Sequence, residues 1–198
     1  MNTGLVEWAI RPVADVRPRP EWLTAPELAR HRRLVRVADR AAYLAAHTLV
    51  RECAAALVGT PPGEVGFGQR CASCGDVDHG APYVEGGVRV SLSHTRGHVA
   101  AIAAPTPCGI DVELVRAGAP PAGVLTPRET SWVERQPDPA RAFTGLWVRK
   151  EALIKAGVGH LGEVGALEVL EPGAGVGDVH DWVGAAAMGA WVVRPIEA

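Results

Sequence analysis

Apolar and polar positions recur with two different periods along this chain, and the change of period organises it. After residue 39, apolar positions follow helical spacing: Tyr43, His47, Val50, Ala54 and Leu57 share one face of the Ala/Leu-rich stretch AAYLAAHTLVRECAAALV. Asp39 is placed to cap its start, and Gly59 followed by Pro61 to end it. An imidazole on such a face is a core histidine more readily than a ligand, so His47 is expected buried and satisfied. Upstream, Glu27 to Val37 (ELARHRRLVRV) predicts a helix that carries Arg30, His31, Arg32, Arg33 and Arg36.

Beyond the long helix the period shortens. Gly63 to Gly87 is glycine-rich and reads as irregular loop. Val88 to Ser93 then alternates strictly, with Val88, Val90 and Leu92 against Arg89, Ser91 and Ser93, the period of a strand. A turn at Thr95–Gly97 leads to a second strand over Val99 to Ala103, and Gly109 to Leu114 predicts a third. Thr126-Pro127-Arg128-Glu129 is a helix start with cap residue, N1 proline and capping-box glutamate. A longer helix is expected from Pro139 to Ala156, then two or three short strands including Ala190 to Val193. No repeat of roughly 20–50 residues is visible. The expected class is α+β with mainly antiparallel sheets, split near Pro105 and Pro107 into halves 1–105 and 106–198.

Composition narrows the function classes. A chain of 198 residues holds one domain or two small halves and can bury a core without disulfides. A net charge of −2 argues against a broad polyanion binder, so no nucleic-acid partner is expected. Met1 to Ile10 lacks a secretory pattern, and no unbroken apolar run reaches the ~18–20 residues of a membrane span, so no membrane partner is expected. Four cysteines (Cys53, Cys71, Cys74, Cys108) are too few for a disulfide scaffold, which points to a reduced, cytoplasmic protein. The 20 basic residues are 18 Arg and only Lys150 and Lys155, both inside Trp147–Lys155.

Four segments carry candidate chemistry. In Gly109-Ile110-Asp111-Val112-Glu113, Asp111 and Glu113 lie on one strand face, a pair of hard oxygen ligands suited to Mg2+; an edge strand with a solvated polar face has the same pattern. On the predicted helix, Trp147, Glu151 and Lys155 share a face, while Lys150 points to an adjacent side. A Glu–Lys pair at this spacing is ordinarily a surface stabiliser. Lysine kept in an arginine-rich chain suggests instead a compact charge meeting a phosphate or carboxylate. Ser93, His94 and Thr95 at a strand end offer phosphate donors; Ser93 and His94 point to opposite faces and make a poor nucleophile pair. Cys71-x-x-Cys74 with Asp76, Asp78 and His79 offers two or three zinc ligands without a second pair to complete four, so a plain loop with two thiols is the expected reading.

Together, SLSHTRGHVAAIA, GIDVELVR and LWVRKEALIKAGVGHL, with DRAAYLAAHTLVR upstream, resemble the 4′-phosphopantetheinyl transferases, in the larger two-half type that serves secondary-metabolite synthases. The resemblance spans about Glu27 to Leu161. It implies a monomer of two pseudo-symmetric α+β halves that holds coenzyme A and Mg2+ in the cleft between them. It further implies transfer of the phosphopantetheine arm to a serine of an apo acyl or peptidyl carrier protein, with release of 3′,5′-ADP. By the family's pattern, Asp111 and Glu113 hold the metal, and Glu151 is a third ligand or the base for the serine. Lys155 meets the phosphate, His94 and Ser93 contact coenzyme A phosphates, and Lys150 belongs with the phosphate-binding cations. Arg30 and Arg33 meet the 3′-phosphate region. One departure stands out: relatives carry Lys or Arg where this chain has Ala81 in Gly80-Ala81-Pro82, leaving Arg70 or Arg89 as substitutes. A module that binds coenzyme A or carrier protein without turnover is the alternative.

Overall fold

The structure, a computed structural model, describes residues 6–71, 74–77, 79–115, 117–118 and 120–170, and the backbone of 177–179, 182–188 and 192–195. Strands β1 (Glu7–Pro12), β4 (Arg89–Thr95) and β5 (His98–Ala104) form one antiparallel sheet in the order β1-β5-β4. The run VAAIAA in β5 is apolar at every position because both its faces are covered. Val99, Ala101 and Ala103 pack under helix α2 (Val37–Val58), against Ala46, Leu49, Val50 and Ala54. Ala100, Ile102 and Ala104 join a separate cluster with Cys108, Ile110 and Val112. Each fully buried Leu, Ile or Val in these clusters contributes roughly 1.5–3 kcal/mol.

Strand β6 (Cys108–Leu114) opens the second sheet. The downstream strands are β7 (Gly177–Val179), β8 (Trp182–Met188) and β9 (Val192–Pro195), and β8 pairs antiparallel with β6, β7 and β9. Of the tail strand expected over Ala190 to Val193, Ala190 and Trp191 lie outside the described residues, and β9 begins at Val192. Helix α3 (Pro127–Glu134) starts at the expected capping box, with the Glu129 carboxylate accepting from the Thr126 amide at 2.9 Å. Helix α4 (Pro139–Lys155) is capped by Asp138, which accepts from the Arg141 amide at 3.0 Å. It lies directly on β6: a Cβ at Gly109 would stand 1.9 Å from the Ala152 carbonyl oxygen. Glycine is thus what lets the helix that carries Glu151 and Lys155 approach the strand that carries Asp111.

The two sheets meet along β4 and β6, and side chains take the place of a backbone ladder. Cys108 Sγ donates to the Arg89 carbonyl at 3.5 Å, and the Ile110 amide donates to Ser91 Oγ at 3.2 Å. Ser93 Oγ donates to Asp111 Oδ1 at 2.7 Å, and Thr95 Oγ1 to Glu113 Oε2 at 3.2 Å. Residue numbers climb together on both strands, so the two run in the same direction.

Several sequence expectations shift in detail. Helix α1 (Ala25–Arg33) starts and stops earlier than expected, because Thr24 and Glu27 cap it and Leu34 is already extended. Helix α2 starts at Val37, which puts Asp39 inside its first turn, where a carboxylate favours the dipole. It ends at Gly59, left-handed at φ 73°, as expected. The glycine-rich stretch is not all loop: β2 (Phe67–Arg70) and β3 (Ala81–Val84) pair there as an antiparallel hairpin. Helix α2, Val37–Val58, is long and apolar enough to cross a membrane by length and mean hydropathy, although Asp39, Arg40, Arg51 and Glu52 break its apolar run; 67% of the window is buried inside the protein, as in a core helix.

Candidate functional site

At the seam, three carboxylates and one ammonium come together. Asp111 is buried, at 3% exposure, and its Oδ1 accepts from Ser93 Oγ at 2.7 Å and from Lys155 Nζ at 2.6 Å. Lys155 also donates to the Ile110 carbonyl at 3.3 Å. The other oxygen, Asp111 Oδ2, is buried without a hydrogen-bond partner. Burial raises the Glu151 pKa above its ordinary value, and the neighbouring Asp111 and Glu113 raise it further, against the pull of Lys155. Three carboxylates against one ammonium leave two negative charges when all are ionised. An orphaned buried anionic oxygen within a cluster of that charge fits a divalent, oxygen-seeking cation such as Mg2+. Asp111, Glu113 and Glu151 are the residues that could hold it.

Beside this cluster runs a cleft of about 630 Å3. Its walls come from both parts of the chain: Arg30 of α1, Tyr43 and His47 of α2, Gln69, Gly80, Ala81 and Pro82 of the hairpin, Ser91 to His94 of β4, and Ile154, Lys155 and Leu161. A side pocket of about 240 Å3 shares Arg30, Tyr43 and Gln69 with it. The β4 alternation explains the division of labour: Ser93 turns into the seam, while His94 is exposed on the cleft side. Partial burial lowers the His94 pKa below 6.5, and the nearby His47 ring and Lys155 ammonium add to this, so His94 is a neutral donor at neutral pH.

The wall made by α1 and α2 rests on a buried ionic network. Glu27, 5% exposed, accepts from Arg51 at 2.7 and 3.0 Å, from the Thr24 amide at 2.7 Å, and bonds His47 Nδ1 at 2.5 Å. Burial alone would raise the Glu27 pKa; the hydrogen bonds from His47 and Arg51 and the charge of Arg51 outweigh it and bring it to about 2. Burial lowers the His47 pKa, so the ring is held neutral, and it is the satisfied core histidine expected. Tyr43 stacks on it at 4.0 Å between ring centroids. The Tyr43 hydroxyl is buried without a partner in a residue that lines the cleft, and burial together with Glu27 pushes its pKa up to about 12. Sequence reasoning put Tyr43 on an apolar helix face and missed it; nothing in a helical period marks where a hydroxyl will point.

Of the sequence candidates, the fold therefore gathers Asp111, Glu113, Glu151, Lys155, Ser93 and His94, with Arg30 at the far wall. Arg33 is exposed at the end of α1 and, like Arg70 and Arg89, does not line the cleft. Ala81 does line it, so the position where a cation was expected faces the cleft with a methyl group. Lys150 must be corrected. Completely buried, it pairs with Glu129 at 2.6 Å and donates to the Val124 and Val164 carbonyls at 3.0 Å each, and it does not reach the cleft. One helical face carries Glu151 and Lys155 to the seam, and Lys150, one residue before Glu151, is turned about 100° away into the core. Cys71, Cys74 and His79 stand together at the far end of the hairpin, whereas Asp78 lies outside the described residues.

Residues 107–196 match the family model of the 4′-phosphopantetheinyl transferase superfamily. This supports that family for the part of the chain carrying Asp111, Glu113, Glu151 and Lys155. No curated protein matches the chain.

Proposed function

We propose that the chain is a phosphopantetheinyl transferase of the two-half type, transferring the phosphopantetheine arm of coenzyme A to a serine of an apo acyl or peptidyl carrier protein. The observation that carries this reading is the buried, partnerless Asp111 Oδ2 beside Lys155, at the edge of a cleft whose opposite wall holds Arg30. Mg2+, held by Asp111 and Glu113 with Glu151, would neutralise charge on the pyrophosphate as it breaks. Coenzyme A fits the cleft with Lys155 and His94 as donors to its phosphates and Arg30 near the 3′-phosphate. Where Asp111 and Glu113 alone hold the metal, Glu151 is placed to take the proton of the incoming serine hydroxyl. In that step the serine oxygen forms a bond to the phosphorus that carries the pantetheine arm. The bond from this phosphorus to the bridging oxygen breaks, and the electron pair leaves with 3′,5′-ADP.

A smaller groove of about 210 Å3, lined by Glu113, Leu114, Pro121, Phe143, Thr144 and Trp147, offers an apolar approach on the carrier side. The cleft takes its walls from both halves, 1–105 and 106–198, and a monomer is the proposed state. A reducing, cytoplasmic setting is proposed on the small number of cysteines, four in 198 residues.

Ala81 is the observation on which a non-catalytic coenzyme A-binding module would rest. Intact-mass analysis decides between the readings. Incubated with coenzyme A, Mg2+ and a panel of apo fatty-acid, polyketide and peptide carriers, the protein should add one phosphopantetheine to at least one carrier, and Asp111→Ala should abolish the gain. Coenzyme A binding without a mass gain on any carrier would favour the module.

A further inference from the structure

We propose that Cys71, Cys74 and His79 form a zinc site that pins the β2–β3 hairpin at the lip of the cleft. The three ligand atoms lie within 4.8 Å of one another, and Cys74 Sγ is 3.4 Å from His79 Nε2. Tetrahedral zinc with Zn–S of ~2.3 Å and Zn–N of ~2.0–2.1 Å puts sulfur and nitrogen ~3.5 Å apart, so this pair already stands at ligand spacing. The turn is built to aim the thiols. The Gly75 amide donates to the Cys71 carbonyl at 2.9 Å, and the Cys71 amide to the Asp76 carbonyl at 2.8 Å. Gly75, directly after Cys74, takes a left-handed φ of 75° that a larger residue would resist.

His79 turns Nε2 toward Cys74, and its Nδ1 lies 3.9 Å from the Asp76 carboxylate. Soft thiolates with one imidazole select zinc over the oxygen-seeking cation of the seam, and the fourth position is left for water. The site closes the hairpin whose Gln69, Gly80, Ala81 and Pro82 line the cleft, so its role is to hold that wall.

The test is metal content of the untagged protein, purified under reducing conditions and dialysed. About one zinc per chain is expected, and Co2+ exchanged into the site should give a thiolate-to-cobalt charge-transfer band with tetrahedral d–d absorption. The Cys71→Ser, Cys74→Ser double variant should lose both signals while keeping the wild-type circular dichroism of helices α2 and α4. Near-zero zinc together with no cobalt–thiolate band in excess Co2+ would overturn the proposal, as would full zinc retention by the double variant. These readouts need no transferase activity, so they stand or fall apart from the proposed function.

Discussion

Replacing Glu27 by Gln tests whether the wall beneath Arg30 depends on a buried charge. Glu27 carries a pKa of about 2 in the folded protein against an ordinary 4.5, a depression of two to three units. At ~1.4 kcal/mol per unit, ionised Glu27 contributes about 3 kcal/mol of stability. Because the folded pKa is the lower one, that contribution is complete above pH 4.5 and is lost as pH falls from 4.5 toward 2. His47 acts in the same direction at higher pH: held neutral by burial, it contributes stability above pH 6.5 that shrinks as pH falls below it. Glu27→Gln also leaves Arg51, only 1% exposed, as a buried cation without its counter-charge, a loss of about 3–5 kcal/mol at neutral pH. Urea unfolding of both proteins from pH 3 to 8, followed by circular dichroism, reads the difference. The variant should be much less stable at pH 7 and should lack the acid-induced drop below pH 4.5. Adding Arg51→Met to it should recover part of the loss. A single variant within about 1 kcal/mol of wild type at pH 7, or two parallel pH profiles, would refute the assigned network.

Three further outcomes follow from the geometry. Lys150→Met strands the fully buried Glu129 carboxylate and should cost about 3–5 kcal/mol in chemical denaturation, yet leave the coenzyme A KM of the folded fraction unchanged; a KM raised tenfold would return Lys150 to the binding residues. Gly109→Ala forces α4 off β6 and should lower stability by about 1–3 kcal/mol, seen as a reduced Tm; an unchanged Tm contradicts the close approach at Ala152. The acid limb of kcat/KM for transfer, with the rate falling as pH drops through it, should belong to Glu151. Glu151→Gln should remove that limb, and an identical limb in the variant would assign it elsewhere.

Much of the site could be read from the sequence because it rests on local rules. Strand alternation put Asp111 and Glu113 on one side of β6, and helical spacing put Glu151 and Lys155 on one side of α4. The capping box at Thr126 and the left-handed stop at Gly59 are likewise local, and both are where they were expected. The hairpin was missed because strands of four residues in a glycine-rich stretch carry almost no period.

Tertiary structure decided what covers each face, which no periodicity encodes. Alternation leaves open what the polar side of β4 meets; Ser91, Ser93 and Thr95 are buried against β6, where their hydroxyls join two sheets. The acid pair of β6 is likewise buried or half-buried at the seam and not on a solvated edge. The scarcity of lysine drew notice to two positions, and the fold separated them: Lys155 reaches Asp111, while Lys150 is spent on Glu129 in the core. Local spacing determines which side chains share a direction. Whether that direction meets water, a neighbouring strand or a buried counter-charge depends on chain segments tens of residues away, brought there by burial of the apolar faces the sequence does announce.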